Sequence, residues 1–457
     1  MNTDALVATS IVVFMLTRAF IGRRASGIAS ALCASGGLST SARRAAPPMS
    51  RRVLETDEPV IVKMKALLAA APAGTVSLAQ GVVHWQPPEE ALEAAREAVG
   101  LAPTHLYSAD EGIPELRAAL RASLASEHGL EGVEVMVTAG ANQAFLNTVL
   151  MALNAGDSAV LFAPYYFNHL MALQMTGHAD SILIGPAVSH DLLPDLNWLE
   201  SQLERRNVGI TPGLPAAPIR LVTLCTPGNP SGVNLPRAIV ERAVALTARY
   251  GCFLYLDHAY AHFVHDGKRL AVCSAAHVLS CFSFSKAYGM AGWRIGVLTY
   301  PPELGAQLLK VQDTAVICPS VISQYAALAA LGAGAKWVRA HVDALAPQRA
   351  LVRAALAPLG ADSIVGGSGA IYLLARLPSA HVDDARVAEW LVHRHGVAVI
   401  PASYCGMPGW IRVCYSNLGA DAMRTATERL RRACEELVAS DVLPTGRPPL
   451  SGPSTAS

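Results

Sequence analysis

Lys286 stands at the end of an apolar run with no acidic residue near it, in a chain of 457 residues that has only five other lysines, at 63, 65, 268, 310 and 336. An amine in such a place can form a Schiff base with an aldehyde, and burial would lower its pKa toward the free base that this chemistry needs. A surface lysine capping a strand is the plain alternative. Ser283, three residues earlier, offers a hydroxyl donor, and Arg294, eight residues later, offers a planar fork suited to phosphate oxygens. The stretch TAGANQA (138–144) follows an apolar run and opens a helical pattern, so Gly140, Ala141 and Asn142 can present backbone N–H groups to an anion at a helix N-terminus. Taken alone it is equally an ordinary strand-to-helix turn. Asp257 follows the run CFLYL, where a buried carboxylate needs a partner, and a cationic pyridinium nitrogen is a suitable one; an aspartate capping the next helix is the plain alternative, and the stronger one for DHAY taken alone. Tyr260 is placed to donate its phenol to a ring oxygen, and Asn229, flanked by prolines in TPGNPSG (226–232), is a further donor for a ring oxygen and a substrate carboxylate.

These residues need a scaffold that brings strand ends together. Five short runs, 133–137, 158–162, 219–224, 252–256 and 277–284, are almost continuously apolar or small, as expected of strands in a parallel sheet covered by helices on both faces. Polar or glycine-rich residues follow each run, and in open α/β folds ligands bind beyond the carboxyl ends of the strands. The predicted class is therefore α/β, with a large domain built on a mostly parallel sheet over 101–330. A smaller α+β domain is expected from both chain ends, 49–100 and 331–440, with a Gly-rich hinge at 365–369 and strands at 370–375 and 397–400. Residues 441–457, rich in Pro, Ser and Gly, read as a frayed tail.

Composition narrows the function. Basic and acidic residues number 36 and 35, so no global field favours nucleic acid. The longest clean apolar run, 5–16, is shorter than the ~20 residues that span a bilayer, and no stable membrane insertion is expected. Nine scattered cysteines without a CxxC pair fit a reducing compartment. Residues 1–48 carry five arginines and one acid, the composition of a mitochondrial or plastid transit peptide; with Met49 as the true start the protein would be cytoplasmic. His258, His262 and His265 have a spacing that would share a helix face and bind zinc, but the glutamate of an HExxH site is missing and no fourth ligand is indicated, so hydrogen-bonded histidines and no metal are expected.

Together these motifs resemble the fold type I pyridoxal 5′-phosphate aminotransferases of class I and II, over roughly 49–437. The resemblance implies that Lys286 holds the cofactor aldehyde, Asp257 its ring nitrogen, Asn229 and Tyr260 its ring oxygen, and Gly140, Ala141, Asn142, Ser283 and Arg294 its phosphate. Tyr166, in PYYFNH, falls where the family places the aromatic that stacks on the ring, and His169 where some members buttress the aspartate. Tyr107, in YSADEGIPEL (107–116), matches the tyrosine that reaches the cofactor phosphate of a neighbouring subunit, which implies a homodimer with shared sites. Arg412, in WIRVCY, matches the arginine that grips the substrate α-carboxylate.

The strings SLAQGVVHWQPP (77–88), APYYFNH and HRHGVAVIP (393–401) are similar to those of plant aromatic aminotransferases that use methionine as amino donor and aromatic 2-oxo acids such as indole-3-pyruvate or phenylpyruvate as acceptors. That likeness implies a ping-pong exchange between amino acid and 2-oxo acid, with Gly81 beside the substrate and His84 and Trp85 at the pocket mouth. Rival readings are an aspartate- or alanine-type transaminase working with 2-oxoglutarate, and a carbon–sulfur lyase or cyclopropane-forming synthase on the same scaffold. A non-enzymatic regulator would need a DNA-binding module that 48 residues cannot supply.

Overall fold

The computed structural model describes residues 47–208 and 217–444. Seven strands form the main sheet: β1 (Glu134–Thr138), β2 (Ser158–Phe162), β3 (Ile182–Gly185), β4 (Ile219–Cys225), β5 (Phe253–Asp257), β6 (Val278–Ser283) and β7 (Gly296–Tyr300). Their order is β1-β7-β6-β5-β4-β2-β3. All five predicted runs are strands within a residue or two of their expected ends. Val160, Leu221, Leu254 and Leu279 are fully buried, as a sheet covered on both faces requires.

Only β7 runs antiparallel to its neighbours, and it was not anticipated. Inserted between β1 and β6, it begins at the edge where they end. Gly296 pairs with Thr138 on one side and with Ser283 on the other. Residues 139–142, Ser283 and Arg294 are therefore neighbours, although 155 residues separate Ala139 from Arg294. Asp257 is likewise flanked in register by Cys225 and Cys281 at the centre of the sheet.

Helices cover this sheet with alanine- and leucine-rich faces. Pro114–Ser123 starts on a proline at its first turn, where no N–H partner is lost, and buries Leu116 and Leu120 at helical spacing. Glu89–Ala98 buries Ala91, Ala95 and Ala98, and the small residues let it pack closely on Val321–Gly332.

A second, antiparallel sheet contains β8 (Ile364–Gly366), β9 (Tyr372–Arg376), β10 (Ile400–Pro401) and β11 (Trp410–Cys414), ordered β8-β9-β11-β10. Val76–Ser77 pairs with Val397–Ala398, and Cys414 N–H donates to Leu78 O at 2.9 Å, so residues 76–82 thread along this sheet. The glycine-rich stretch expected as a hinge is instead pinned. Gly367 and Gly369 N–H groups both donate to Gly232 O, at 3.0 and 2.9 Å, and a Cβ on Gly366 would lie 2.3 Å from Ser231 O. Gly366 and Gly367 take φ of 98° and 92°, so these glycines permit both the close approach and a backbone turn that few other residues adopt.

Of the expected tail, residues 441–444 are described and 445–457 lie outside the described residues. Trp390 Nε1 donates to Pro444 O at 3.0 Å and Leu443 packs against the core, because the exposed indole edge and apolar surface left by helix Ala420–Ala439 are better covered than wetted. The transit-like composition and the apolar run 5–16 lie outside the described residues. Among the described residues no helix is long and apolar enough to cross a membrane, and all eight cysteines are free.

Candidate active site

The carboxyl ends of the main sheet and the residues threaded along the second sheet enclose a cavity of about 220 Å³. Its lining includes Gly81, Ala141, Asn142, Tyr166, Asn229, Asp257, Tyr260, Ser283, Lys286, Arg294 and Arg412, eleven of the residues singled out from the sequence.

Lys286 follows β6 in a single helical turn opened by Ser283, whose Oγ accepts the Ser285 N–H at 3.1 Å. The Lys286 amine donates to Gly81 O at 2.6 Å. Burial pushes it down to about 8, and the Arg294 and Arg412 guanidinium groups act in the same sense. A fraction of the amine is thus a free base near neutral pH, as nucleophilic and proton-transfer chemistry requires.

Asp257 is almost fully buried at the end of β5. Burial alone would raise its pKa, but the His169 imidazole at 3.2 Å, the Ala259 N–H at 2.9 Å and the Cys281 thiol at 3.3 Å hold it below the ordinary carboxylate range. His169 is fixed in turn by Phe145, 4.2 Å away between ring centroids. The result is a fixed negative charge aimed into the cavity.

The anion-binding end depends on two glycines. A Cβ on Gly296 would lie 2.5 Å from the Gly140 carbonyl carbon, and a Cβ on Gly140 would lie 2.2 Å from Arg294 Nη2. Side chains at either position would fill the cradle. Gly140 itself has φ 83°, beyond easy reach of other residues, and caps the helix Ala141–Ala152. Arg294 takes a left-handed backbone, φ 56°, of a kind that costs on the order of 1–3 kcal/mol. Its guanidinium is held by the carbonyls of Ala291 at 3.0 Å and Ala139 at 3.1 Å.

Arg412, on β11, is buried. It donates to Asn229 Oδ1 at 2.9 Å and to Ala79 O at 2.7 Å, and lies over the Tyr372 ring at 4.4 Å. Its Nε has no partner among the described residues. With one N–H left without an acceptor, the guanidinium is a planar donor set of the kind that suits a carboxylate.

Tyr372 was missed in the sequence. Its phenol shares a hydrogen bond of 2.6 Å with Tyr260, and a Cβ on Gly81 would lie 1.9 Å from its oxygen. Nothing in GAIYLL marked it, because only the pairing of β9 with β11 carries it into the cavity. Ile61, from the helix Val60–Ala69, and Ser285 also line the space unannounced.

Three residues expected from the sequence, Trp85, His84 and Tyr107, are not among those lining the cavity. Trp85 does not line the cavity: its indole donates to Ala287 O at 3.3 Å and its ring stacks on Phe263 at 6.4 Å, since so large an apolar side chain gains more from packing than from a polar mouth. His84 likewise engages Ser416 O, at 3.0 Å. Tyr107 is 80% exposed and is not among the lining residues. The three histidines do not share a helix: residues 258–265 form a turn that sends His258 to Thr226 O, His265 to Ala370 O and His262 to Glu127.

The family described as aminotransferase class I and II matches residues 73–430. The chain belongs to that family. This aminotransferase is 45% identical over 393 residues to the aromatic aminotransferase ISS1 of Arabidopsis thaliana, covering 85% of this chain and 97% of that one. It is 31% identical over 394 residues to the aspartate/prephenate aminotransferase of Thermus thermophilus, covering 84% and 98%. Among solved structures, the aspartate aminotransferase of Thermus thermophilus with maleate superposes with a TM-score of 0.74 at 28% identity, over 85% of this chain and all of that one. Members of the family use pyridoxal phosphate. The aminotransferase's donor set fits that group: N–H groups at a helix start, a serine and an arginine for a phosphate, a held carboxylate for a cationic ring nitrogen, and an amine for an aldehyde.

Proposed function

We propose that this aminotransferase moves the α-amino group of methionine or an aromatic amino acid to an aromatic 2-oxo acid of the indole-3-pyruvate or phenylpyruvate kind, with pyridoxal phosphate held by the residues of the cavity. One observation carries the chemistry: the Lys286 amine, brought down to about 8, shares an enclosed space with the Asp257 carboxylate and the half-partnered Arg412 guanidinium. The likeness to an aromatic aminotransferase along nearly its whole length supports the substrate class.

When bound, the cofactor supplies an aldehyde for amine exchange and an electron sink for charge developed at the substrate Cα. The chain does the rest. The N–H groups of Ala141 and Asn142, the Ser283 hydroxyl and Arg294 take the phosphate. Asp257, kept anionic by His169, holds the proton on the ring nitrogen and stabilises the developing charge by a preorganised field. Asn229 and Tyr260 would hold the ring oxygen, and Tyr166, its phenol pushed up to about 12 by burial and so neutral, would offer a ring for stacking. Arg412 grips the α-carboxylate, which orients the Cα–H bond toward Lys286 Nζ, and Lys286 removes and returns that proton.

A homodimer is part of this reading, because the exposed Tyr107 is then free to complete the phosphate site of a second copy. The arginine-rich, acid-poor residues 1–48 support import into a mitochondrion or plastid; a fluorescent fusion of that segment that stays in the cytosol removes this part.

The decisive experiment is transamination by the protein from Met49 onward, beside Lys286→Ala, with methionine, phenylalanine and aspartate offered against phenylpyruvate and 2-oxoglutarate. Amino transfer ranked methionine and phenylalanine above aspartate, with loss of turnover and of cofactor absorbance in the variant, is the expected result. Normal turnover by Lys286→Ala defeats the mechanism, and preference for aspartate with 2-oxoglutarate defeats the substrate assignment.

A further inference from the structure

A second group of titratable side chains lies outside the cavity, where the turn 258–265 meets the end of the helical segment Leu124–His128. His262 Nε2 and Glu127 Oε2 are 3.3 Å apart, and ligand atoms of Glu127, His128 and His262 all lie within 4.8 Å of one another. Four tetrahedral ligands with bonds of roughly 2.0–2.2 Å stand about 3.3–3.6 Å apart, so the His262–Glu127 pair already has the required spacing and the others would have to close by up to about 1.5 Å.

His128 is the informative member. Its ring stacks on Phe282 at 5.6 Å and meets His262 edge-on at 5.7 Å, yet it has no hydrogen-bond partner among the described residues. A neutral imidazole at this place has a lone pair to give. Glu127, paired with His262, supplies a carboxylate oxygen beside it.

We propose that Glu127, His128 and His262 form a site for a divalent transition metal of the zinc and cobalt(II) class, with the fourth position open to the adjoining depression. That depression, of about 790 Å³, is also lined by Lys268, Arg269, Lys336 and Arg339. Asp266 pairs with Lys268 at 3.6 Å and Asp343 with Arg339 at 2.9 Å. The remaining positive rim lowers affinity for a bare dication and favours an anionic fourth ligand such as chloride or a carboxylate. The site stands independently of the transamination chemistry.

The test uses the full chain, stripped with a chelator and titrated with cobalt(II) in chloride buffer and separately with zinc. One equivalent per chain, with the intense visible bands of four-coordinate cobalt(II), is the expected result. Glu127→Gln, His128→Gln and His262→Gln should each weaken uptake by more than the about 10–100-fold that loss of an outer supporting partner costs, while His190→Gln, on an exposed histidine, changes nothing. Because an unfolded variant would also lose the bands, X-ray absorption of zinc on the wild type provides the second measurement, and two imidazoles without sulfur are required. No saturable uptake, sulfur ligation, or undiminished uptake by a His128→Gln/His262→Gln variant overturns the proposal.

Discussion

The two walls of the cavity are built on different principles. One wall, from Gly140 through Arg294, comes from the ends of neighbouring strands in a single sheet, and each group sits in a short recognisable string. The other wall joins Gly81, Tyr372 and Arg412, and its contacts cross most of the chain: Arg412 to Ala79 spans 333 positions and Lys286 to Gly81 spans 205. The first wall presents charge held where neighbouring strands of one sheet end, Arg294 on Ala139 and Asp257 on His169. The second is held by steric contact, with a glycine touching a phenol and a guanidinium lying on its ring. Electrostatic preorganisation here follows from strand register, whereas the fit around the substrate depends on how segments from outside that sheet thread together.

If that contrast is right, removing charge from the first wall should cost more than altering shape in the second. Asp257→Asn preserves volume but discards the negative charge, and kcat should fall by roughly 10²–10³ with the fold intact, as steady-state kinetics beside circular dichroism would reveal. A loss under tenfold would mean that the sheet-end wall is not the electrostatic one.

The buried amine makes a related thermodynamic prediction. Lys286 has a folded pKa of about 8, below its unfolded value near 10.5, so the unfolded chain binds more protons between those values and stability rises with pH across that window. Urea unfolding of the cofactor-free protein should therefore show a wild-type minus Lys286→Met difference that grows by at most about 3 kcal/mol from pH 8 to pH 10.5. A flat difference curve would place the amine in water.

On the second wall, Gly81→Ala should cost about 1–3 kcal/mol by overpacking against Tyr372, visible as a lower urea midpoint and a raised KM. Adding Tyr372→Phe should recover part of this loss, since the oxygen nearest the new methyl group is gone; additive losses would separate the two residues. The smallest effect belongs to Tyr372→Phe alone. Losing the hydrogen bond to Tyr260 should cost about 0.5–1.5 kcal/mol and shift the absorbance titration of the bound cofactor, while Arg412 keeps its grip on Asn229.

Legibility followed the same division. The five strands nearest the chemistry were readable because a doubly covered sheet demands continuous apolar runs, and the groups at their ends because turns and phosphate cradles demand particular residues at particular spacings. Strand β7 escaped notice: nothing in GVLTY shows that Gly296 must meet Gly140, and its place between β1 and β6 follows from pairing alone. Tyr372 escaped for the same reason. Trp85, expected at the pocket mouth, is partly buried beside the lysine turn, its indole on Ala287 O and its ring on Phe263, outside the lining residues. Gly366, Gly367 and Gly369 were legible as a special stretch, but the backbone they lie against, at Ser231–Gly232, was not, because that contact crosses more than 130 positions.

By itself the sequence determined the α/β class, the lysine, aspartate and arginine of the chemistry, and the family, since each rests on residue type and local spacing. Tertiary structure alone decided that Gly296 lies between Thr138 and Ser283, that Gly81 meets Tyr372, and that Glu127 and His128 turn toward His262. The physical reason is that local spacing constrains only neighbours along the chain. Register, steric fit and the positions of distant ligands emerge when all buried surfaces are satisfied together.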